Sequence, residues 1–414
     1  SVEYMKENPS IRAAFVSTNS ITQGEQVGIL WPSLFKFGVH INFAHRTFQW
    51  LSEARGKAAV HCVILGFALE NEADKWLFEY ETVQSEPHIV KAKNINPYLI
   101  DAADVFLTNR SEPICSVPAM RFGSMPRDGG YLILSSEEKE ELLSAESAAA
   151  KFIRPYSGAE EFLNGSKRWC LWLLDANPDE LKRLPMAMKR VEKVREFRLK
   201  STADTTRKLA ATPTVFCQLA QPEDDYLLVP RVSSERRKYI PIGFVSKELI
   251  ANDQVLTVAG ASIYHFGVMS SEMHMAWARH MCGRLKSDYR YSKDIVYNNF
   301  PWPEPTPAQK QFIEIAAQAV LDARAKFPKA TLAELYDPLT MPPELTKAHQ
   351  TLDRAMDAAY GAGKFENEAQ RVAFLFGRYK EITEKLEVKE APKKKMRKVI
   401  PNRGRKKVIK KEVG

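Results

Sequence analysis

The stretch RVSSERRKYIPIGF, from Arg231 to Phe244, places a polar loop between two apolar runs. The runs on either side, Tyr226 to Pro230 and Tyr239 to Phe244, have the composition of buried strands. The guanidinium of an arginine can donate two hydrogen bonds to a guanine edge or to a phosphate. A glutamate between arginines can orient them or accept a hydrogen bond from a cytosine amine. The pattern indicates a loop that reads nucleic acid or, alternatively, a solvated hairpin tip with its own ion pairs. The loop residues are Ser233, Ser234, Glu235, Arg236, Arg237 and Lys238.

The positive charge of the chain is concentrated at one end. The 414 residues carry a net charge of +9, and the segment 391–414 contains eleven Lys and Arg against one Glu. The other 390 residues are nearly neutral, with 49 basic and 50 acidic side chains. The segment 389–414 has no apolar period, which predicts a disordered tail. Such a tail attracts DNA without reading its sequence, or only solubilises the protein or serves its assembly.

Length and composition exclude several classes of protein. A chain of 414 residues predicts two or three domains, and 44% hydrophobic with 27% charged residues is typical of a folded globular protein. The five cysteines are far apart and form no Cys-x-x-Cys pair, so we predict no metal site and free thiols in a reducing compartment. The longest apolar run, 58–69, is shorter than the about 20 residues that span a bilayer, so we predict no membrane partner.

The first 67 residues alternate between strand and helix patterns. Strands are predicted at 11–16, 39–44 and 57–67. Thr22 to Glu25 has the spacing of a capping box and predicts the start of a helix. The polar residues 17–20 and 45–50 follow two of these strands, at the ends where open α/β sheets bind ligands.

The middle of the chain has the pattern of a mixed α+β domain, and the end is helical. Ser135, followed by acidic residues, predicts a capped helix. Helices are also predicted at 179–199, 273–285, 306–326, 332–336, 343–360 and 367–388. Short strands are predicted at 168–174, 215–219, 226–229, 239–244, 255–258 and 262–266.

Two further segments combine cations with hydroxyl or aromatic groups. Side chains of these types commonly contact the phosphates of nucleic acid. The alternatives are solvated charges and tyrosines that pack a turn. The candidates are Arg198, Lys200, Ser201, Thr202 and Ala203 in the first segment, and Arg290, Tyr291 and Lys293 in the second.

Several long motifs occur in the order found in adenine-specific DNA methyltransferases. They are AAFVSTNSITQGEQ (13–26), HRTFQW (45–50), EARGKAAVH (53–61), RWCLWL (168–173), the 233–239 loop and YNNFPWP (297–303). With these motifs the chain resembles the C-terminal portion of the MmeI-like, type IIL restriction–modification enzymes. The resemblance implies the end of a Rossmann-like methyltransferase sheet, a mixed α+β target-recognition domain, a small helical C-terminal domain and a disordered basic tail.

The resemblance also implies a division of the chain. The segments are 1–74 for the methyltransferase part, 75–303 for target recognition, 304–388 for the helical domain and 389–414 for the tail. S-adenosylmethionine is the implied cofactor of the parent enzyme. The glycine-rich loop and the Asn-Pro-Pro-aromatic motif of the family do not occur in this sequence. We therefore expect a missing N-terminal methyltransferase portion, with or without a nuclease, in the prokaryotic cytoplasm.

The implied function is sequence-specific recognition of double-stranded DNA by an adenine-N6 methyltransferase. Enzymes that act on a base extrude it, and Phe48, or else Trp50, is the candidate to stack on the extruded adenine unless these rings only pack the strands. Glu235 and Arg237 are the candidates for base readout, with Thr202 and Ala203 as secondary candidates. The alternative is a stand-alone specificity subunit without catalysis; an RNA-binding protein fits less well because no RNA module is recognisable. Arg46, Arg55 and Lys57 are candidates for phosphate contacts or, alternatively, solvated surface residues.

Overall fold

A computed structural model describes residues 1–50, 60–361, 363 and 365–390 of the chain. The phosphate candidates Arg55 and Lys57 and the basic segment 391–414 lie outside the described residues. The described part is a mixed α/β region, a mixed α+β region and a helical C-terminal region, which confirms the predicted fold class.

The first region is a five-stranded sheet. In chain order its elements are α1 (Val2–Glu7), β1 (Arg12–Thr18), α2 (Gly24–Lys36), β2 (His40–Trp50), β3 (Val60–Ala68), β4 (Lys75–Glu79) and β5 (His88–Ala92). The strand order is β1-β3-β2-β4-β5, with β2 and β4 parallel and the other neighbours antiparallel. Val27 and Trp31 bury one face of α2 in the main core. The sheet thus continues to residue 92, past the boundary proposed at residue 74.

Two sequence predictions for this region are wrong. The predicted capping box does not form: Gln23 precedes α2 and no side chain caps the helix. The hydroxyl of Thr22 instead donates to the carbonyl of Asn19 at 2.9 Å. The residues 45–50, expected after the end of a strand, belong to β2, where Phe48 pairs with Cys62 of β3.

The middle region has three small sheets within the described residues, with strand orders β12-β10-β14-β6, β13-β8-β9-β7 and β11-β16-β15. Its strands are β6 (Met120–Phe122), β7 (Ile133–Leu134), β8 (Ile153–Ser157), β9 (Arg168–Leu171), β10 (Tyr226–Pro230), β11 (Val232–Ser233), β12 (Gly243–Val245), β13 (Ile250–Ala251), β14 (Val255–Ala259), β15 (Gly283–Leu285) and β16 (Asp288–Arg290). Its helices are α3 (Ser136–Ala145), α4 (Ala159–Asn164), α5 (Pro178–Lys182), α6 (Pro185–Leu199), α7 (Asp204–Lys208), α8 (Ile263–Met269) and α9 (Glu272–Met281).

The predicted elements of this region are partly confirmed. Ser135 caps α3 in a capping box with Glu138, as its sequence indicates. The predicted strand 262–266 is wrong because these residues begin α8, and 215–219 contains no strand. The predicted helix 179–199 is two helices, since Pro185 lacks the N–H that a helix interior needs and starts a new helix.

Part of the middle region folds around a core of its own. Apolar side chains between Leu132 and Phe216 pack around the sheet β13-β8-β9-β7 and helix α6. The chain enters and leaves this part at neighbouring points, where the backbones of Met125 and Gln218 exchange hydrogen bonds of 3.0 and 3.2 Å. Residues 126–217 are termed the inserted lobe.

Arg198 closes the base of the inserted lobe. Its side chain is fully buried, although its sequence context predicted a contact with DNA. All five of its N–H groups are used, which corrects that prediction to a structural role. The guanidinium donates at 2.8–3.0 Å to the carbonyls of Pro126, Arg127, Leu209, Thr212 and Val215.

The C-terminal region is helical, with α10 (Pro307–Ala325), α11 (Leu332–Leu335), α12 (Pro343–Ala359) and α13 (Glu368–Glu390). Thr306 and Gln309 form a capping box and Pro307 occupies the first turn, as predicted. One apolar core extends from Val27 of α2 to Tyr379 of α13 and includes side chains of all three regions. None of the helices in the described ranges is long and apolar enough to cross a membrane.

We expect Arg198→Ala to lower the free energy of unfolding by about 3–5 kcal/mol, because five buried carbonyls lose their donor. Lys200→Ala is the matched control, since Lys200 is exposed just beyond the same helix and its loss changes stability by at most about 0.5 kcal/mol. Urea unfolding followed by the fluorescence of Trp169 and Trp172 in the lobe measures both. Equal stability of the two variants would contradict the structural role.

Candidate nucleic-acid interface

The sheet β11-β16-β15 has a buried face. Ser233, Tyr289 and Arg284 lie side by side across its three strands. Ser233 is 2% and Tyr289 is 5% exposed. The guanidinium carbon of Arg284 lies 4.0 Å from the centroid of the Tyr289 ring. This cation–π contact joins β15 and β16 on the buried face.

The opposite face of this sheet is exposed to solvent. Because successive side chains of a strand alternate between faces, Leu285 and Asp288 project away from the buried row, as does Arg290. Leu285 and Asp288 are paired across the hairpin. Leu285 is 51% exposed, and Arg290 is exposed as well. This surface is termed the outer face.

The polar loop 233–238 leaves β11 next to the outer face and is held at its front end by backbone hydrogen bonds. The N–H of Glu235 donates to the Asp288 carboxylate at 3.3 Å. The N–H of Arg237 donates to the carbonyl of Ser234 at 3.1 Å, which closes a tight turn. The turn leaves the Arg236 side chain exposed and those of Glu235 and Arg237 half-buried. Side chains at the tip are thus presented by a fixed backbone.

The rear end of the loop is anchored by buried groups. Arg279 donates to the carbonyl of Lys238 at 2.6 Å. The hydroxyl of Tyr239 donates to the Asp353 carboxylate at 2.6 Å, and its ring stacks on His349 at 4.0 Å. Burial raises the pKa of Asp353 to about 6 despite this hydrogen bond. The loop therefore rests on helices of the C-terminal region.

A cleft separates the polar loop from the first sheet. It has a volume of about 550 Å³, with Glu235 and the β15–β16 turn on one side and the ends of β2 and β3 on the other. Gln49 and Gln84 are joined across its wall by a hydrogen bond of 2.5 Å. Amide, imidazole and carboxylate groups give the cleft the capacity to donate and accept hydrogen bonds. Its lining residues are Thr18, Asn19, Gln49, Val60, His61, Val83, Gln84, Glu235, Lys286 and Ser287.

The two predicted base-stacking rings lie on β2, one on each side of Gln49. Phe48 is half-buried and stacks on Tyr80, with ring centroids 5.5 Å apart and planes inclined by 23°. Trp50 lies 6.2 Å from Phe48 and is 47% exposed. His45 contacts Phe48 edge-on at 6.3 Å. Phe48 is therefore part of an aromatic cluster, and Trp50 is the more accessible of the two rings.

Arg46 is half-buried and paired within the protein. It forms an ion pair with Glu79 at 2.9 Å and donates to Nε2 of His280 at 2.5 Å. Burial lowers the pKa of His280 to about 4, so the ring is neutral at pH 7. Its Nδ1–H donates to the carbonyl of Ala276 at 3.0 Å, which leaves Nε2 free to accept from Arg46. The contact of Arg46 with a phosphate stays a prediction.

The remaining candidates for DNA contact are either buried or exposed. Tyr291 is 2% exposed and bonds to His274 at 2.8 Å, and Ser233 is buried, so both are corrected to structural residues. Lys293 is paired with Asp294 at 2.5 Å. Ser201 is half-buried at the end of α6. The exposed candidates are Lys200, Thr202, Ala203, Arg236, Lys238 and Arg290.

Sequence reasoning found part of the cleft wall. Asn19 and Gln49 lie in the segments 17–20 and 45–50, which were expected to border a ligand site, whereas Gln84 stands in no recognisable motif. The sequence does indicate a turn at Lys286 and Ser287, since two polar residues between short strands are typical of a hairpin. That signal was hidden because the preceding residues were assigned to a helix extending to Leu285.

Three family models match consecutive parts of the chain. They are the MmeI DNA-methyltransferase domain at residues 1–79, the MmeI target recognition domain at 101–304 and the MmeI C-terminal domain at 305–387. The chain belongs to the MmeI family. The resemblance seen in the sequence motifs is thereby confirmed.

Two MmeI-related proteins are similar over most of this chain. The "DNA methyltransferase A" of Bacillus subtilis (strain 168) is 41% identical over 375 residues, which cover 90% of this chain and 42% of that protein. The type IIL restriction-modification enzyme MmeI, solved in complex with DNA, is 49% identical with a TM-score of 0.86, covering 92% of this chain and 51% of that one. The chain therefore spans about half the length of the relatives that it matches.

Methyltransferase families such as this one use S-adenosylmethionine in general. The glycine-rich loop that binds this cofactor in the family does not occur in the sequence, and neither does the catalytic Asn-Pro-Pro-aromatic motif, so no residue of this chain is assigned to the cofactor. The described residues also contain no group of three or more His, Cys, Asp or Glu placed to hold a metal ion.

The anchor under the polar loop has a pH dependence that can be measured. The folded-state pKa of Asp353 of about 6 exceeds its ordinary value of 3.8, so the folded protein binds this proton more tightly than the unfolded chain. The corresponding stability is present below about pH 4 and is lost as the pH rises to about 6. We expect melting temperatures between pH 4 and 6 to fall more steeply for the wild type than for Asp353→Asn. Parallel curves would contradict a buried, proton-binding Asp353.

Proposed function

We propose that this chain recognises a specific sequence in double-stranded DNA for an S-adenosylmethionine-dependent adenine-N6 methyltransferase of the restriction–modification type. One observation carries the proposal: a polar loop with a fixed backbone and an exposed sheet face border a cleft whose other wall belongs to the methyltransferase-like sheet. Base readout and base modification need these two parts to face the same stretch of duplex. The bacterial family supports a location in the prokaryotic cytoplasm.

The proposed base contacts come from the tip of the polar loop. Arg237 is half-buried, and its burial lowers the pKa of the guanidinium while Asp288 and Asp337 counteract this. A guanidinium of restricted mobility is suited to a bidentate contact with guanine, and the Glu235 carboxylate to a cytosine amine. Arg284 lies 3.9 Å from Glu235 and helps to orient it. Glu235 and Arg237 are thus the two side chains proposed to contact the bases.

The exposed cations and hydroxyls are proposed to position the duplex through its phosphates. Such contacts fix the register of a protein on DNA and carry no sequence information. Lys293 is paired with Asp294 and follows Arg290, the last residue of β16, by three positions. The proposed set is Lys200, Ser201, Ser234, Arg236, Lys238, Arg290 and Lys293, and Thr202 and Ala203 are proposed as secondary candidates for base readout. Phe48 and Trp50 are proposed as the wall against which the target adenine stacks.

A specificity subunit without its own chemistry is the second candidate. It is supported by the target recognition and C-terminal domain models, which match most of the chain. The coding sequence distinguishes the two: an in-frame glycine-rich loop and Asn-Pro-Pro-aromatic motif upstream of Ser1 support a single enzyme, and a start codon at this position supports a separate subunit.

Arg237→Ala tests base readout. We expect the variant to bind duplexes selected from a randomised library with a preference relaxed at one base pair, because a bidentate contact contributes about 1–3 kcal/mol of discrimination. Arg195→Ala is the control, since Arg195 is an exposed cation of α6 and should leave the preference unchanged. Equal loss of affinity for all sequences would assign Arg237 to the phosphate backbone, and the absence of any duplex binding by the wild type would overturn the proposed function.

The basic segment 391–414 should act on DNA in a different way. We expect replacement of its eleven Lys and Arg by Gln to weaken binding of every duplex by a similar factor and to flatten the dependence of affinity on salt, because each phosphate contact releases counterions. Titrations at several salt concentrations measure this effect. Unchanged affinity and salt dependence would support a solubilising or assembly role instead.

A further inference from the structure

We propose that Leu285 is a wedge that enters the DNA base stack and fills the space left by an extruded base. The proposal rests on the proposed function, because it requires duplex DNA on the outer face. Its basis is the combination of an exposed apolar side chain, a narrow and rigid hairpin and a polar cleft beside the tip of that hairpin.

Leu285 is placed where a duplex bound by the polar loop would lie. It shares the outer face with Asp288, its partner across the hairpin, and the carboxylate of Asp288 in turn accepts the N–H of Glu235. The polar loop and Leu285 therefore lie on either side of Asp288 on the same surface. A duplex contacted by Glu235 comes within reach of Leu285 without any change of the sheet.

The hairpin tip is a turn of two residues, and the surrounding structure enforces its backbone conformation. Lys286 and Ser287 alone connect the paired residues Leu285 and Asp288. Lys286 has a φ of +57°, in the left-handed region that a lysine rarely adopts. Strain of this kind persists only where the surrounding structure enforces it. Here the enforcing contacts are the strand pairing and the cation–π contact of Arg284 with Tyr289.

The chemistry on the two sides of the tip suits an extruded base. Leucine is among the residues that proteins insert between base pairs, at a cost of a few kcal/mol for unstacking. The turn residues Lys286 and Ser287 border the cleft, whose amide groups at Asn19, Gln49 and Gln84 can bond to base edges. The cleft thus offers a base that leaves the stack at Leu285 a polar path of about 550 Å³ towards β2, the strand that carries Phe48 and Trp50.

Exposure alone would not single out Leu285, because isolated exposed apolar residues are normal on protein surfaces. Leu339, for example, is 84% exposed, and it lies after α11 in the C-terminal region, outside the hairpin that carries Leu285. This difference makes Leu339 the matched control. Substitution of either residue removes an exposed leucine, and only Leu285 stands at the tip of the hairpin.

The test measures the affinity of the full chain for a duplex selected from the randomised library and for copies with one abasic site at each successive position. An abasic site removes the cost of unstacking, so the wild type should bind about tenfold or more tightly when the abasic site is at the wedge position. Leu285→Ala should lose this preference at an unchanged melting temperature. Leu285→Met should keep it, as should Leu339→Ala.

Each other outcome has a definite meaning. Equal wild-type affinity for the intact duplex and all abasic copies would overturn the wedge and leave DNA recognition standing. A preference that survives in Leu285→Ala would also overturn it, since another residue would then enter the stack. Failure of the wild type to bind any duplex would overturn the proposed function and the wedge together.

Discussion

The arrangement of the three regions depends on the buried cation of Arg279. From helix α9 its guanidinium pairs with Glu272 at 2.8 Å and with Glu368 of α13, and donates to the carbonyl of Lys238 at the end of the polar loop. Burial alone would lower the pKa of Arg279, but the two carboxylates outweigh it and raise the pKa. A buried charge without its partners costs several kcal/mol, so these three segments hold one relative position.

The neighbouring residue extends this constraint to the first sheet. His280 accepts a hydrogen bond from Arg46 of β2, the strand that carries Phe48 and Trp50. The helix α9 is therefore in contact with the strand of the cleft wall and, through Arg279, with the loop on the other side. The width of the cleft is set by short, directional contacts within a packed core rather than by the long side chains that line it. A framework of this kind keeps the polar loop and the first sheet at a constant distance from each other.

The sequence indicated those features that depend on neighbouring residues. The capping boxes at Ser135 and Thr306, the helical C-terminal region and the polar loop were predictable because each is local. Burial was not, since Arg198 and Lys200 read alike in a basic helix while one is fully buried and the other exposed. The sequence did not indicate that residues 17–20 and 45–50 face the polar loop across one cleft, because the walls join residues from 18 to 287, which only the tertiary packing brings together.

The inserted lobe has a consequence of a different kind. Its two connections are adjacent at Met125 and Gln218, and its apolar interior is distinct from the main core, with Ile250 of β13 as a contribution from outside the lobe. Lengthening a surface loop costs little conformational entropy, about 0.6 kcal/mol for each doubling of its length. Insertions in loops of the lobe that lie away from β8 can therefore be accommodated locally, whereas changes in β8 also act on its partner β13.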